Sequence, residues 1–214
     1  MITSNFLVDY YIIELKNLWI RGAIMMIRKA KPSDIPKIAE LCYIIWSELD
    51  IQMVKDIDKS RLLKIMEQSM LDVPYRGHYS NTWVYEIEGE VAGCLIAYPG
   101  DKEIALEQAW LDLDLDDDIR SYGTPMPMKE ANDDEWYIET VATFPQYRGR
   151  GVATQLVQHV TASYSDEKWS LNCDVHNDGA LYVYKKLGFQ IESEFDLYGH
   201  MHYHMILPIS DGNE

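Results

Sequence analysis

Positive charge is scarce in this sequence: 19 Lys and Arg stand against 35 Asp and Glu in 214 residues, a formal net charge of −16. A field of that sign repels nucleic acid and anionic membrane surfaces, so neither is expected as a partner, and it favours cationic molecules near clefts. A solubilising acidic surface is the plainer reading of the same charge. Long apolar runs are also missing. Near the N-terminus Phe6, Leu7, Tyr10, Tyr11, Ile12 and Ile13 are interrupted by Asp9, Glu14 and Lys16, well short of the ~20 residues that span a bilayer. No basic segment precedes them, which excludes a signal-peptide pattern. The three cysteines, Cys42, Cys94 and Cys173, lie in apolar runs at no metal-ligand spacing, so buried thiols in a reducing cytoplasm are expected, with no metal.

The length suits one domain with a substantial core. Its most informative stretch is Trp136 to Leu156. Residues 136 to 143 are dense in β-branched and aromatic types, Pro145 stops the ladder, and Val152, Ala153, Leu156, Val157 and Val160 recur with the period of a buried helix face. A strand, a Gly-rich turn and a helix are expected in that order. The first amides of such a helix lack carbonyl partners and sit at the positive end of the peptide dipoles, which makes the turn an anion site. Gly149 and Gly151 permit close backbone approach, and Arg148 and Arg150 add cationic side chains, so a pyrophosphate is the expected ligand. A dinucleotide fingerprint would need a third glycine that is missing here, and a purely structural turn is the remaining alternative.

The segment Gln146-x-x-Gly149-x-Gly151, following Val141-Ala142-Thr143, resembles the acetyl-CoA-binding motif of the GNAT superfamily of N-acetyltransferases. Asn177-Asp178-Gly179-Ala180, continuing through Tyr184 to Gly188-Phe189, is similar to the second segment of that family. The resemblance spans about residues 26 to 208 and implies a bacterial-type, single-domain α/β protein. Its GNAT fold would be a mixed sheet of about six to seven strands flanked by about four helices. It implies acetyl-CoA as co-substrate, direct transfer to a primary amine, and a cytoplasmic enzyme with room for a homodimer. By the same resemblance Val141, Ala142 and Thr143 line the pantetheine, and Gln146, Tyr147, Arg148, Gly149, Arg150 and Gly151 hold the pyrophosphate with Ala153 and Thr154. Asn177, with Ala180, contacts the pantetheine arm. Tyr184 stands where the family protonates the departing thiolate, and Glu139 where polyamine-acetylating relatives carry a base. Other roles stay open: a core aromatic for Tyr184, a helix N-cap for Asn177, and a salt-bridge partner for Glu139. A rival class is a catalytically silent CoA-binding sensor or partner-binding module, against which the presence of both Tyr184 and Glu139 weighs.

The rest of the chain reads in order. Leu7, Tyr11, Leu15 and Leu18 form the stripe of an amphipathic helix within an extension of residues 1 to 25. An alternative is translation from Met25 or Met26, for which finding Met1 at the native N-terminus by mass spectrometry would be decisive against. Ile27 to Lys29 is expected as a first strand, Asp34 as an N-cap, and Ile38, Leu41, Cys42, Ile45 and Trp46 as one helix face. A second helix over roughly 58 to 71 turns Leu62, Leu63, Met66 and Met70 inward, and strands at 81 to 88 and 91 to 98 form a hairpin. An acidic insertion occupies about 99 to 135. Within it Leu111 to Asp118 alternates at period two, the pattern of an edge strand. Asp112, Asp114 and Asp116 begin like a calcium loop, but Asp117 and Gly123 occupy the positions that need Gly and Glu. After the central helix come a strand over 168 to 175, a helix closed by Gly188, and a hairpin over 189 to 207, leaving a tail at 211 to 214. His200, His202 and His204 share one face of the last strand, open to zinc ligation, acceptor lining or a cross-strand role.

Overall fold

In the computed structural model, which describes residues 24–49 and 51–209, the chain runs β1 (Met25–Lys29), α1 (Ile35–Glu48), α2 (Gln52–Asp56), α3 (Lys59–Asp72), β2 (Thr82–Ile87) and β3 (Glu90–Pro99). It continues through α4 (Glu103–Gln108), α5 (Asp117–Arg120), β4 (Trp136–Thr143), α6 (Val152–Ser163), β5 (Trp169–Asp174), α7 (Asp178–Lys186), β6 (Gln190–Leu197) and β7 (His200–Leu207). The expected N-terminal helix and the C-terminal tail lie outside the described residues. The strands make one seven-stranded sheet in the order β1-β2-β3-β4-β5-β7-β6. Every pairing is antiparallel except β4 with β5. That parallel pair needs a crossover, which α6 supplies.

Two cores sandwich the sheet. On one face α1, α2 and α3 bury Ile38, Leu41, Trp46, Met53, Leu62 and Met66 against Val84, Cys94, Ile96 and Tyr98. On the other, α6 packs Leu156, Val157 and Val160 onto Leu95, Ile138 and Leu171, with Leu181 of α7 beside them. Helix boundaries follow local chemistry. Asp58 begins α3 by accepting from the amides of Ser60 at 2.9 Å and Arg61 at 3.3 Å. Asp34 stands at the start of α1 as expected but does not cap it. Its carboxylate is taken by Arg28, at 2.6 and 3.0 Å, and by the Lys31 amide at 2.9 Å.

The insertion departs from expectation. Residues 111–118 form no strand; they make a single helical turn, a bend and the start of α5. Leu113 and Leu115 point inward, at 5 and 7% exposure, between exposed aspartates, but Leu111 is 38% exposed while Trp110 before it is buried, so the alternation holds only over 112–116. What it lacks is a neighbour to pair with. Asp116 and Asp118 instead anchor the segment to α3 through Arg61, at 2.7 and 2.6 Å. The short helices α2, α4 and α5 bring the helices among the described residues to seven, against the four expected.

Candidate active site

Strands β4 and β5 pair only from Trp136↔Trp169 to Ile138↔Leu171. Beyond Ile138 they separate, and the edge of β4 facing β5 has no strand beside it. A second irregularity falls at the same place. Ile96 pairs with Thr140 while Ala97 pairs with Ile138, so Glu139 is the extra residue of a β-bulge. Bulges re-aim side chains next to sites, and this one puts Tyr137 and Ala142, five residues apart, into the same core layer. The wedge between the strands is a cleft of about 650 Å³. Glu139, Thr140 and Val141 of β4, Asn172 to Asp174 of β5, and Asn177 to Ala180 with Tyr184 of α7 line it. Ile45, Glu48 and Leu49 close it from α1, and Leu197, His200 and His202 from the last hairpin.

One wall of the cleft is charged. Arg76, in the loop between α3 and β2, is fully buried and meets four carboxylates that are themselves 0 to 6% exposed. Its Nε donates to Glu139 Oε2 at 2.7 Å and its Nη2 to Glu103 Oε1 at 3.0 Å, while Nη1 lies 3.5 Å from both Glu107 and Glu130. Nη2 also donates to Tyr98 Oη at 2.5 Å. Burial works to lower the Arg76 pKa, but Glu139 and the groups around it overcome burial and hold the guanidinium charged. Burial raises Glu130, despite Arg76, to about 7. Glu107 is raised as well, also by burial.

Tyr184 faces the cleft from α7, its ring packed edge-on against Phe189 at 6.0 Å. Burial, reinforced by Cys173, pushes its phenol well above the usual value, so it stays protonated through the neutral range. Asn177 caps α7, its Oδ1 accepting from the Ala180 amide at 3.1 Å, which leaves its Nδ2 donors toward the cleft it lines. The two readings of Asn177, cap and ligand contact, therefore coexist geometrically.

Beyond Thr143 the chain makes one turn over Pro145–Tyr147 and enters α6 through Gly149 and Gly151, at φ 74° and 78°. Both need the left-handed region, which glycine adopts without penalty. Gly151 is the N-cap of α6 and offers no side chain, so the first amides of this 12-residue helix are left open. Gln146, Arg148 and Arg150 are exposed, Tyr147, Ala153 and Thr154 half-buried. Arg148 Nε donates to Thr143 O at 3.3 Å. These features suit a phosphate-bearing ligand at the start of α6. Thr143 Oγ1 is buried and makes no hydrogen bond among the described residues. Glu139, Val141, Asn177, Ala180 and Tyr184 meet in the cleft itself, Ala142 packs into the core behind it, and the glycine turn lies at the end of the same strand.

Sequence reasoning missed Arg76, Glu130, Glu48, Asn172 and Asp174. No local pattern marks them: Glu48, Glu130 and the β5 pair Asn172 and Asp174 reach the cleft from three separate parts of the chain, and Arg76 is buried against Glu130 and Glu139 without lining it. The histidines divide. His200 and His202 line the cleft, with His202 Nδ1 donating to His200 O at 2.9 Å. His204 instead lies 2.8 Å from Asn172 Oδ1 and 3.1 Å from Glu135 Oε2. Glu135, Glu192 and His204 bring potential metal ligands within 4.8 Å of one another, but the Lys168 ammonium, 3.0 Å from Glu135, already supplies a positive charge there.

A splayed parallel strand pair, an open glycine turn on a helix start and a half-buried tyrosine in the cleft between them are the parts expected of an acyl-CoA-dependent transferase. The model of the acetyltransferase (GNAT) family matches residues 45–189, and the chain belongs to that family as an acetyl-CoA-dependent N-acetyltransferase. It is similar to an N-acetyltransferase from Staphylococcus aureus Mu50, with 49% identity, a TM-score of 0.83, and coverage of 85% of this chain and 99% of that one. Two more distant structures share the fold. The histone acetyltransferase HPA2 and related acetyltransferase from Corynebacterium glutamicum is 21% identical with a TM-score of 0.64, covering 89% of this chain and 99% of that one. The yncA protein of Salmonella typhimurium, solved with acetyl-CoA, is 16% identical with a TM-score of 0.51, covering 89% and 96%. No curated protein matches the chain.

Proposed function

We propose that the protein acetylates the primary amine of a small cationic molecule, of the polyamine or amino-sugar kind. The observation that carries this is the imbalance of charge in the cleft. Glu48, Glu130, Glu139, Asp174 and Asp178 line it, and the cation buried beside them, Arg76, is shared among four carboxylates. An ammonium group relieves that imbalance, and a carboxylate-bearing acceptor worsens it. A protein amine would have to enter the same cleft.

The co-substrate supplies a thioester carbonyl open to attack by a neutral amine. Gly149 to Thr154 hold its phosphates on open amides and arginines, the free edge of β4 from Val141 to Thr143 and the Asn177 amide hold its arm, and Ala180 shapes the floor. Tyr184 Oη keeps a proton for the sulfur side, and the carboxylates at the other end attract and orient the ammonium. No helix among the described residues is long and apolar enough to cross a membrane. Cys42, Cys94 and Cys173 are all buried free thiols, which favours a reducing, cytoplasmic setting.

Calorimetric titration is expected to show binding of acetyl-CoA, weaker binding of dephospho-CoA and none of NAD. In a thiol-release screen, diamines and amino sugars should exceed neutral or anionic amines in kcat/KM. Preferred turnover of amino acids would refute the cationic acceptor, and absence of acetyl-CoA binding would refute the site itself.

A further inference from the structure

We infer that Glu130, contributed by the acidic insertion and not by the β4 motif, is the group that takes the proton from the acceptor's ammonium. This rests on the transferase reading above. Four carboxylates surround Arg76, and the hydrogen bonds around each decide which is available. Glu139 Oε2 holds Arg76 Nε at 2.7 Å, so protonating it would cost the shortest ion pair of the cluster. Glu103 accepts from Arg76 Nη2 at 3.0 Å and from the amides of Glu130 and Ala131 at 2.9 and 3.0 Å. Glu107 accepts from the Met126 amide at 2.7 Å and does not line the cleft. Glu130 lines it, and its one close donor among the described residues is Tyr137 Oη at 2.6 Å. Arg76 Nη1 and Tyr198 Oη both lie at 3.5 Å.

The insertion builds this position deliberately. Glu103 of α4 clamps the Glu130 backbone, Asn172 of β5 donates to the Glu130 carbonyl at 3.0 Å and to Tyr137 Oη at 3.1 Å, and His204 orients Asn172 from β7. Glu130 is thus a buried carboxylate on a fixed backbone, at a cleft wall, held by one short hydrogen bond and by a guanidinium shared with three other carboxylates. The groups facing it fix the sign of its titration. Burial raises it, Arg76 lowers it, Glu139 raises it, the Tyr137 hydrogen bond lowers it and Glu103 raises it, leaving it near 7. A base so placed is about half ionised at neutral pH and fully so above it, and is a stronger proton acceptor than an exposed carboxylate. In the step itself one N–H bond of the ammonium breaks, an O–H bond forms on Glu130, and the freed lone pair attacks the thioester carbonyl. Nitrogen loses a second proton as the amide forms, which replaces the one Tyr184 gives to sulfur, and Glu130 returns its proton to water.

The test is the pH profile of kcat/KM with a diamine acceptor, for the parent and for Glu130→Gln. The parent is expected to rise through an apparent pKa near 7 and then to level. Glu130→Gln should lose about 10²- to 10⁴-fold and the limb near 7, while calorimetry shows acetyl-CoA affinity unchanged. Retention of that limb by the variant overturns the assignment and leaves the transferase reading standing; a parent that turns over no amine overturns both. Tyr137→Phe provides a second reading if Glu130→Gln does not fold. Removing a donor that stabilises the carboxylate should move the limb to higher pH, and an unmoved limb counts against Glu130.

Discussion

Arg76→Met should lower the unfolding temperature by roughly 6–20 °C at pH 8. Removing one partner of a buried ion pair costs about 3–5 kcal/mol, because the other charge is left buried without compensation. In a chain of this size each kcal/mol moves the midpoint by about 2–4 °C. Here four carboxylates lose their shared cation at once, and none is more than 6% exposed in its side chain. The sign of the pH dependence follows. Without Arg76 the buried carboxylates have pKa values above their unfolded ones, so the folded variant binds more protons than the unfolded chain, and its stability falls as pH rises through that range. The deficit should therefore be larger at pH 8 than at pH 5. Arg76→Lys should recover only part of it, since one ammonium cannot reproduce donation through Nε, Nη1 and Nη2 in three directions. Thermal unfolding by circular dichroism at both pH values measures this. A Met variant melting within two or so degrees of the parent at pH 8 would mean that the cluster is neutralised by bound protons and not by Arg76.

The same cluster shows where sequence reading ends. The run from β4 through Gly149 and Gly151 into α6 was legible because each signal is local: a β-rich octet, two glycines at positive φ, and a 3.6-residue period. The Asn177 cap and the Tyr184 face of α7 were legible for the same reason. Glu139 was found as a residue, but its surroundings were not. Its direction is set by a bulge that exists only in the pairing of β4 with β3, and its partner Arg76 lies 63 positions earlier. The insertion misled in an instructive way. Alternation of Leu with Asp marks the buried side only at Leu113 and Leu115, with Leu111 exposed, and it says nothing of whether a second strand is available to pair with the segment. Asp116 and Asp118 found Arg61 instead. Glu130 carried no signal in its own neighbourhood, because what distinguishes it is its surroundings, a single short hydrogen bond from Tyr137 with Arg76 and Tyr198, from distant parts of the chain, at 3.5 Å.

Tyr184→Phe should cut kcat by about 10²- to 10⁴-fold, the usual contribution of a positioned acid, with acetyl-CoA affinity and unfolding temperature nearly unchanged. The ring is what packs: it stands edge-on to Phe189 at 6.0 Å, and no hydrogen bond ties its hydroxyl to the protein among the described residues, so removing that atom leaves the fold's contacts in place. A core role alone would therefore predict no kinetic effect, and the two readings of this residue separate cleanly. The raised pKa adds a second criterion. Burial, and Cys173 beside it, keep the phenol protonated beyond the ordinary tyrosine value, so the parent should show no alkaline loss of activity from this group below pH 10 or so. A raised pKa also makes Tyr184 a weaker acid than a free phenol, so its usefulness depends on a basic leaving sulfur. An acyl donor whose thiol is strongly acidic departs without help, and with such a thioester the gap between parent and Phe variant should close. If the variant matches the parent with acetyl-CoA, the proton for the sulfur comes from elsewhere and Tyr184 is a packing residue. If the gap persists unchanged with the acidic thiol, Tyr184 acts by placing the donor in the wedge and not by giving up its proton.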